Sequence, residues 1–337
     1  SKSAEKAIFG DNSMLDYYQA PAALKKIADS TVAFINKNSL VYDSQSQTYK
    51  VSREIKVSSN YVDDKEDFVN QNILSFCSGA YLGNSMVLSA GHCVEPEDAN
   101  SSSYYKNVYV VFGWRYNADN SPVTSFTKEQ VYTIKEVRVR ELSANISSVN
   151  DLLNKYKDYS LTILDREPAD RTPLAVDKSP ELKVGNKVFT VGYPLGMAVK
   201  IDRPQDAKIF IIGNNTFQTN IDAFGGNSGG AVFDSVTNKI IGILVTGFGG
   251  EFDYELKQDV VFNIVLTTSS AAIDPQTQTL YVDAATASKI KTIVTQQYKG
   301  EFTANGSGKY IVLLNSGTKI NNRDVMFSIV ARLFGAK

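Results

Sequence analysis

Short apolar runs, rich in β-branched and aromatic residues and bounded by turn residues, recur along most of this chain. They are shorter than a usual helix and match the length of β-strands. Their number and spacing predict an all-β sandwich or a pair of β-barrels. The runs cover residues 31–35, 78–82, 86–89, 108–112, 131–139, 160–164, 187–191, 209–212, 231–233 and 240–245.

Composition and charge narrow the range of partners. The 337 residues are 43% hydrophobic and 21% charged, as in ordinary globular proteins. With 35 Lys and Arg against 36 Asp and Glu, the chain has no basic excess that would neutralise phosphates, so no nucleic-acid partner is expected. No apolar run approaches the roughly 18 residues that cross a bilayer, so no membrane span is expected.

A few segments depart from the strand pattern. Residues 22–28 follow Pro21, which favours the start of a helix, and residues 284–298 repeat apolar residues at helical spacing. Residues 325–334 fit either a second helix or a strand. The polar stretch at residues 36–72 interrupts the strand runs, and we interpret it as an insertion.

The only histidine, His92, lies in the segment Leu-Ser-Ala-Gly-His-Cys at the end of a strand run. Histidine titrates near neutral pH, so it is a candidate general base, although a lone histidine can also be structural. The only two cysteines are Cys93, directly after it, and Cys77, and an even count at close spacing fits one disulfide in an oxidising compartment. One histidine and two cysteines are too few soft ligands for a metal site, so no metal is expected.

A second motif, Gly-Gly-Asn-Ser-Gly-Gly at residues 225–230, places Ser228 between glycines. The glycines leave the hydroxyl and the backbone N–H groups unobstructed. The N–H groups of Gly226 and Ser228 are candidates for an oxyanion hole, which is worth roughly 3 to 4 kcal/mol per donor. The motif also fits a glycine-rich hairpin turn, but a phosphate loop is excluded because a strand follows and no Lys-Ser/Thr ending is present.

A catalytic histidine needs a carboxylate that accepts a hydrogen bond from its far ring nitrogen. Asp158, in Asp-Tyr-Ser-Leu at the entrance to a strand run, is the candidate. Aspartate is common in turns, so Asp151 and Asp165 are alternatives.

Together these segments resemble the chymotrypsin/trypsin family of serine proteases. The resemblance spans residues 31–266, and it rests on residues 77–93, 158–161 and 226–230 in the order histidine, aspartate, serine. It implies a catalytic triad, an oxyanion hole and a disulfide beside the histidine. The residues implied are His92, Asp158 and Ser228 for the triad, Gly226 and Ser228 for the oxyanion hole, and Cys77 with Cys93 for the disulfide.

The fold that this resemblance implies is all-β, with two six-stranded antiparallel Greek-key β-barrels and the site in the cleft between them. The expected parts are an N-terminal extension at 1–27, a first barrel at 28–170 with His92 and Asp158, a second barrel at 171–270 with Ser228 and the substrate pocket, and a C-terminal helical or mixed extension at 271–337.

Asn227 departs from animal trypsins, in which an aspartate at this position pairs with a new amino terminus. An amide cannot form that ion pair, which argues against the same activation route. The Gly-Asn-Ser-Gly form, with Gly-Tyr-Pro-Leu-Gly at 192–196, is similar to the bacterial secreted branch that includes glutamyl endopeptidase-like enzymes. Those that cut after glutamate usually use a second histidine, which this chain lacks, so glutamyl specificity is disfavoured.

The substrate pocket is expected at Asp222, Val245, Thr246 and Gly247. Asp222 lies six residues before Ser228, where trypsin-like members keep the carboxylate that binds lysine or arginine. The resemblance leaves two alternatives, a basic P1 preference or an acid that hydrogen-bonds locally. The glycine-rich wall at 245–250 admits a sizeable side chain without choosing one.

The sequence therefore predicts a secreted or periplasmic serine endopeptidase of bacterial type, acting as a monomer on protein or peptide substrates through an acyl-enzyme, with no cofactor. The alternative is a catalytically silent trypsin-like fold that binds proteins, because fold alone does not establish activity. A serine esterase of another fold is disfavoured, since it needs a histidine after Ser228 in the chain.

Overall fold

The protein is described from a computed structural model, which covers residues 6–7, 14–57, 68–143, 154–203, 207–219, 221–246, 254–255, 259–268, 272–274 and 277–320. β-Strands account for most of its regular structure, as the short apolar runs predicted. Among the described residues, the α-helices are α1 (Ala22–Ala28), which packs into the core of the strands, and α2 (Ala284–Thr292), which continues as a π-helix over Ile293–Gln297. Both predicted helices are confirmed, whereas residues 325–334 lie outside the described residues.

In chain order the strands are β1 (Lys6–Ala7), β2 (Leu15–Asp16), β3 (Thr31–Asn36), β4 (Leu40–Asp43), β5 (Thr48–Val51), β6 (Ile55–Lys56), β7 (Asn72–Ile73), β8 (Cys77–Gly83), β9 (Met86–Ser89), β10 (Val108–Phe112), β11 (Ser125–Thr127), β12 (Val131–Leu142), β13 (Asp158–Leu164), β14 (Lys187–Gly192), β15 (Lys200–Ile201), β16 (Ala207–Ile212), β17 (Phe217–Thr219), β18 (Ala223–Phe224), β19 (Ala231–Asp234), β20 (Ile240–Ile243), β21 (Tyr254–Glu255), β22 (Val260–Leu266), β23 (Ala272–Asp274), β24 (Thr279–Val282), β25 (Glu301–Ala304), β26 (Lys309–Leu314) and β27 (Lys319–Ile320).

The first β-unit is a closed, six-stranded antiparallel barrel. Its strands run in the order β10, β12, β13, β9, β8 and β3, and the pairing of β3 with β10 closes it. Successive residues of β3 point to opposite faces, so Val32 and Phe34 enter one core while Ala33 and Ile35 enter another. That second core also contains Phe189 of β14, and it therefore joins the barrel to the sheet that follows. The predicted insertion contributes β4 and β5, which pair with each other, and β5 also pairs with β11.

The second β-unit is a seven-stranded sheet made of β17, β16, β14, β15, β19, β20 and β2. Strand β2 belongs to the N-terminal extension and pairs with β15, so the remaining strands match the six expected of the second barrel. The N-terminal segment thus contributes a strand to this unit, because the backbone hydrogen bonds of β2 are made to β15.

A C-terminal unit has its own core. Strands β23, β24, β22, β26 and β25 form a sheet in this order, and β22 and β24 run parallel. Helix α2 contributes Ala287 and Ile290 to a core that also contains Phe262 and Val312. The sheet begins with Val260–Leu266, so this unit starts before residue 270, where the sequence analysis ended the second barrel. Among the described residues, no helix is long and apolar enough to span a membrane.

The predicted disulfide is present, and it links the first residue of β8 to the turn that follows β9. Cys77 and Cys93 are 16 residues apart in sequence. Closing a loop of this size restricts the unfolded chain, so the double variant Cys77→Ala, Cys93→Ala should lose about 3 kcal/mol of unfolding free energy in urea denaturation. Reducing the wild-type protein should cause a similar loss. A double variant as stable as the oxidised wild type would contradict this assignment.

Candidate active site

His92 and Asp158 are held together by two hydrogen bonds. The ring Nδ1 of His92 lies 2.7 Å from Oδ2 of Asp158, and the backbone N–H of His92 donates to Oδ1 at 3.0 Å. His92 lies in a short helical turn, Gly91–Cys93, that follows β9, and Asp158 begins β13, which pairs with β9. Side-chain exposure is 37% for His92 and 0% for Asp158, so the imidazole is open to solvent while its carboxylate partner is buried.

Tyr156 is a third donor to this carboxylate, with its hydroxyl 2.9 Å from Oδ2 of Asp158. Burial by itself would raise the pKa of Asp158, but the hydrogen bonds and charge of His92, with the bond from Tyr156, outweigh it and lower the pKa. Asp158 is therefore ionised at neutral pH. Burial and the neighbouring carboxylate raise the pKa of Tyr156, so its hydroxyl stays protonated and able to donate.

Of the two alternative acids, Asp165 is the one that the structure describes, and it lies away from His92. Asp165 accepts hydrogen bonds from Thr133 and Arg166, and Asp151 lies outside the described residues. The structure thus brings Asp158 and not Asp165 to His92. Sequence reasoning missed Tyr156, because nothing in its local pattern distinguishes it from other loop tyrosines.

The Ser228 loop has a backbone that only glycine adopts readily. Gly226 and Gly229 have φ angles of 96° and 82°. A side chain on Gly229 would begin 2.1 Å from Oγ of Ser89 and 2.3 Å from the carbonyl oxygen of Ser78, which leaves no room for a Cβ. Among the described residues, the N–H groups of Gly226 and Ser228 have no acceptor, and the Ser228 hydroxyl has no hydrogen-bond partner. The loop therefore presents two unused donors beside a free hydroxyl.

The buried residue Ser78 of β8 connects this loop to the first barrel. Its N–H donates to the carbonyl of Ser228 at 2.8 Å, and its hydroxyl donates to the carbonyl of Gly226 at 2.8 Å. The same hydroxyl accepts the N–H of Tyr193 at 2.9 Å. Sγ of Cys93 lies 3.5 Å from the Ser228 carbonyl oxygen, so the backbone of Ser228 lies against the residue that follows His92. The sequence analysis did not identify Ser78 as part of the site.

A cavity of about 480 Å³ adjoins Asp158. Val245 and Thr246, two of the expected pocket residues, are among its lining residues, and so is Tyr156. Asp222 is only 3% exposed and is not a lining residue, although its neighbours Ile221 and Ala223 are. Gly247 lies outside the described residues. Ser228 and His92 do not line this cavity, which lies on the Asp158 side of the site.

The donor atoms of Cys77, His92 and Cys93 lie within 4.8 Å of one another. The two sulfurs are bonded to each other, so neither is a thiolate that could bind a metal ion. This cluster leaves one imidazole as a ligand, which is not a metal site by itself.

The contacts of Ser78 should be measurable as stability. Ser78→Ala leaves the partly buried carbonyl of Gly226 and the buried N–H of Tyr193 without this partner, so we expect the free energy of unfolding to fall by about 1 to 3 kcal/mol in urea denaturation. Ser52 is a matched control, because its hydroxyl makes one hydrogen bond at an exposed position and Ser52→Ala should change little. Equal effects of the two substitutions would contradict the connecting role of Ser78.

A family model described as "Trypsin-like peptidase domain" matches residues 77–243. Similar solved structures include two of Rv3671c from M. tuberculosis. The protease in its active form is 14% identical with a TM-score of 0.37, over 73% of this chain and 82% of the other. The inactive form is 15% identical with a TM-score of 0.33, over 66% of this chain and 80% of the other.

The matched region contains the disulfide, both partners of the histidine–carboxylate pair and the glycine-flanked serine. Through residues 77–243, the chain belongs to the family of trypsin-like peptidases.

Proposed function

We propose that this protein is a serine endopeptidase that hydrolyses peptide bonds through an acyl-enzyme, with Ser228 as nucleophile, His92 as general base and Asp158 as its carboxylate partner. The observation that carries the proposal is the two-point contact of buried Asp158 with His92, at 2.7 and 3.0 Å. This contact fixes the ring with Nδ1 toward the acid, which leaves Nε2 to take a proton from a nucleophile.

In the proposed mechanism His92 accepts the proton of the Ser228 hydroxyl as the oxygen attacks a peptide carbonyl. Asp158 stabilises the imidazolium that forms, and His92 then protonates the departing amine. Water attacks the acyl-enzyme in the same way and releases Ser228. A hydroxyl–imidazole hydrogen bond that forms only when substrate binds is common in such sites, which is compatible with the free hydroxyl seen here.

The free N–H groups of Gly226 and Ser228 are proposed to bind the oxyanion of the tetrahedral intermediate. Donors that have no partner in the protein cost no reorganisation when negative charge develops beside them. The carbonyl of Gly226 is held by the Ser78 hydroxyl, which supports a defined orientation of this loop.

The cellular setting is part of the proposal. A disulfide between Cys77 and Cys93 supports an oxidising compartment, so we propose a secreted or periplasmic protein. The Gly-Asn-Ser-Gly form at residues 226–229 supports a bacterial type. Asn227 carries an uncharged amide, which cannot form an ion pair with a new amino terminus. This supports an activation route other than that ion pair.

The catalytic assignment is tested by labelling with a fluorophosphonate, which reacts with activated serines. The wild type should be labelled on Ser228, while His92→Ala and Asp158→Asn should slow labelling by at least about 10³-fold, since each disrupts the activation of the serine. Asp165→Asn is the matched control and should react at the wild-type rate. A folded wild type without label on Ser228 would favour the catalytically silent binding protein instead.

The cavity supports a preference for substrates with large apolar side chains. Its wall includes Leu182, Phe217 and Leu244, and Asp222 is not part of it. We therefore expect cleavage of a mixed peptide library to favour apolar residues near the scissile bond. Asp222→Ala should leave this profile unchanged, provided that the variant folds, whereas Phe217→Ala should broaden it. A lysine and arginine preference that disappears in Asp222→Ala would instead establish the basic pocket.

A further inference from the structure

The N-terminal segment contacts the elements that lead to Ser228. Strand β1 pairs with β18, with Lys6 opposite Phe224, and β18 ends directly before the glycine loop. Strand β2 pairs with β15, with Asp16 opposite Lys200. Met14 packs with Phe224 in a small buried cluster to which Leu195 also contributes. The segment therefore has two strand pairings and one apolar contact around the nucleophile loop.

Asp16 and Lys200 form a buried ion pair at the second of these pairings. The ammonium of Lys200 lies 2.6 Å from Oδ1 of Asp16, and it also donates to Gln71 Oε1 at 2.7 Å and to the carbonyl of Ala198 at 3.1 Å. Gln71 in turn donates to Oδ2 of Asp16 at 2.8 Å. The two charged side chains are 1% and 3% exposed, so all three ammonium protons are satisfied away from water. Burial lowers the pKa of Lys200 to about 8, which still leaves it mostly protonated at neutral pH.

A short path of contacts leads from this ion pair to the proposed oxyanion hole. Lys200 is opposite Gly192, the last residue of β14, and the turn Pro194–Gly196 follows. In that turn the N–H of Leu195 donates to the carbonyl of Gly225 at 2.5 Å. A Cβ on Gly226 would lie 3.0 to 3.1 Å from the backbone nitrogens of Gly196 and Leu195, so turn and loop are in close contact.

A buried ion pair is weak evidence for stability, because desolvation of the two charges offsets their attraction, but in some proteins such a pair specifies one arrangement of its neighbours. We propose that Asp16 and Lys200 are positioning residues, which hold the N-terminal segment against the 194–196 turn and so keep Gly225 and Gly226 in the orientation that the oxyanion hole requires. This inference rests on the proposed function. The charges are placed differently from those of animal trypsins, since the acid lies in the N-terminal segment and its cationic partner is the side chain of Lys200.

The test compares the double variant Asp16→Asn, Lys200→Met with the wild type. Asparagine keeps an acceptor for Gln71 and methionine keeps the volume of lysine, so neither leaves an unpaired buried charge. If the double variant does not fold, the double variant Asp16→Asn, Lys200→Gln takes its place, because it also removes both charges and keeps a hydrogen-bonding group at position 200. Val312→Ala is the control, because it weakens the separate C-terminal core without touching the turn or the loop.

Two kinds of measurement distinguish a change in the conformation of the loop from a change in the reactivity of Ser228. The first is amide hydrogen exchange of peptides covering residues 193–197 and 224–230, with the fluorescence of Trp114, the only tryptophan, whose Nε1 donates to the carbonyl of Gly196 at 3.2 Å. The second is fluorophosphonate labelling as a function of probe concentration, which separates the maximal rate from the half-saturating concentration.

We expect exchange of both peptides to quicken about 10-fold in the double variant. The maximal labelling rate should fall about 10- to 100-fold, with little change in half-saturation, because oxyanion donors act on the transition state. Val312→Ala should change neither readout, although it lowers the unfolding midpoint.

Unchanged exchange and fluorescence in the double variant would overturn the inference. Faster exchange with wild-type labelling would also overturn it, because the loop would then not depend on the ion pair for reactivity. A wild type that is not labelled would remove the proposed protease function, and with it any catalytic role of the ion pair, while the exchange data would still show whether the ion pair holds the loop.

Discussion

The site depends on the attachment of the glycine loop to strand β8. Glycines make the loop accessible, but they offer no side chains that could hold it in place. Ser78 supplies this attachment through its N–H to the carbonyl of Ser228 and its hydroxyl to the carbonyl of Gly226. The disulfide begins one residue earlier, at Cys77, and ends beside His92. One strand end therefore sets the relative position of a histidine from the first barrel and a serine from the second β-unit, which is the support that a precise site requires.

Asp158 and Lys200 are buried charged side chains, and each is compensated by several partners. Asp158 receives the backbone N–H and ring of His92 and the hydroxyl of Tyr156. Lys200 donates to Asp16 and to two further oxygens. Burying a charge without such partners would raise the free energy of the folded state. Each set of contacts therefore holds segments that are far apart in sequence next to each other. The first set orients the histidine of the proposed triad, and the second brings the N-terminal segment into the second β-unit.

The sequence identified some residues of the candidate site and not others. His92 has no rival in the chain, and the glycines around Ser228 form a local signal, so both were identified from the sequence. Asp158 was implied by the family resemblance but had Asp165 as an alternative, and the fold separates the two, because β13 pairs with β9 and brings Asp158 to the histidine turn. Ser78 lies in a strand run like any other, and its role depends on a partner 148 residues away. A lysine within an apolar run, as at position 200, is the one sequence signal that could have indicated the buried ion pair.

The sequence by itself determined the all-β character, both helices, the cysteine pair and the candidacy of His92 and Ser228, because these follow from local periodicity, residue counts and glycine content. Only the tertiary structure decided which acid meets His92, that Asp222 stays out of the cavity wall, and that the N-terminal segment adds a strand to the second β-unit. These outcomes depend on strand register and on contacts between segments far apart in the chain. A shift of one residue in register reverses the face on which a side chain lies, and local patterns carry no information about which distant strand becomes the neighbour.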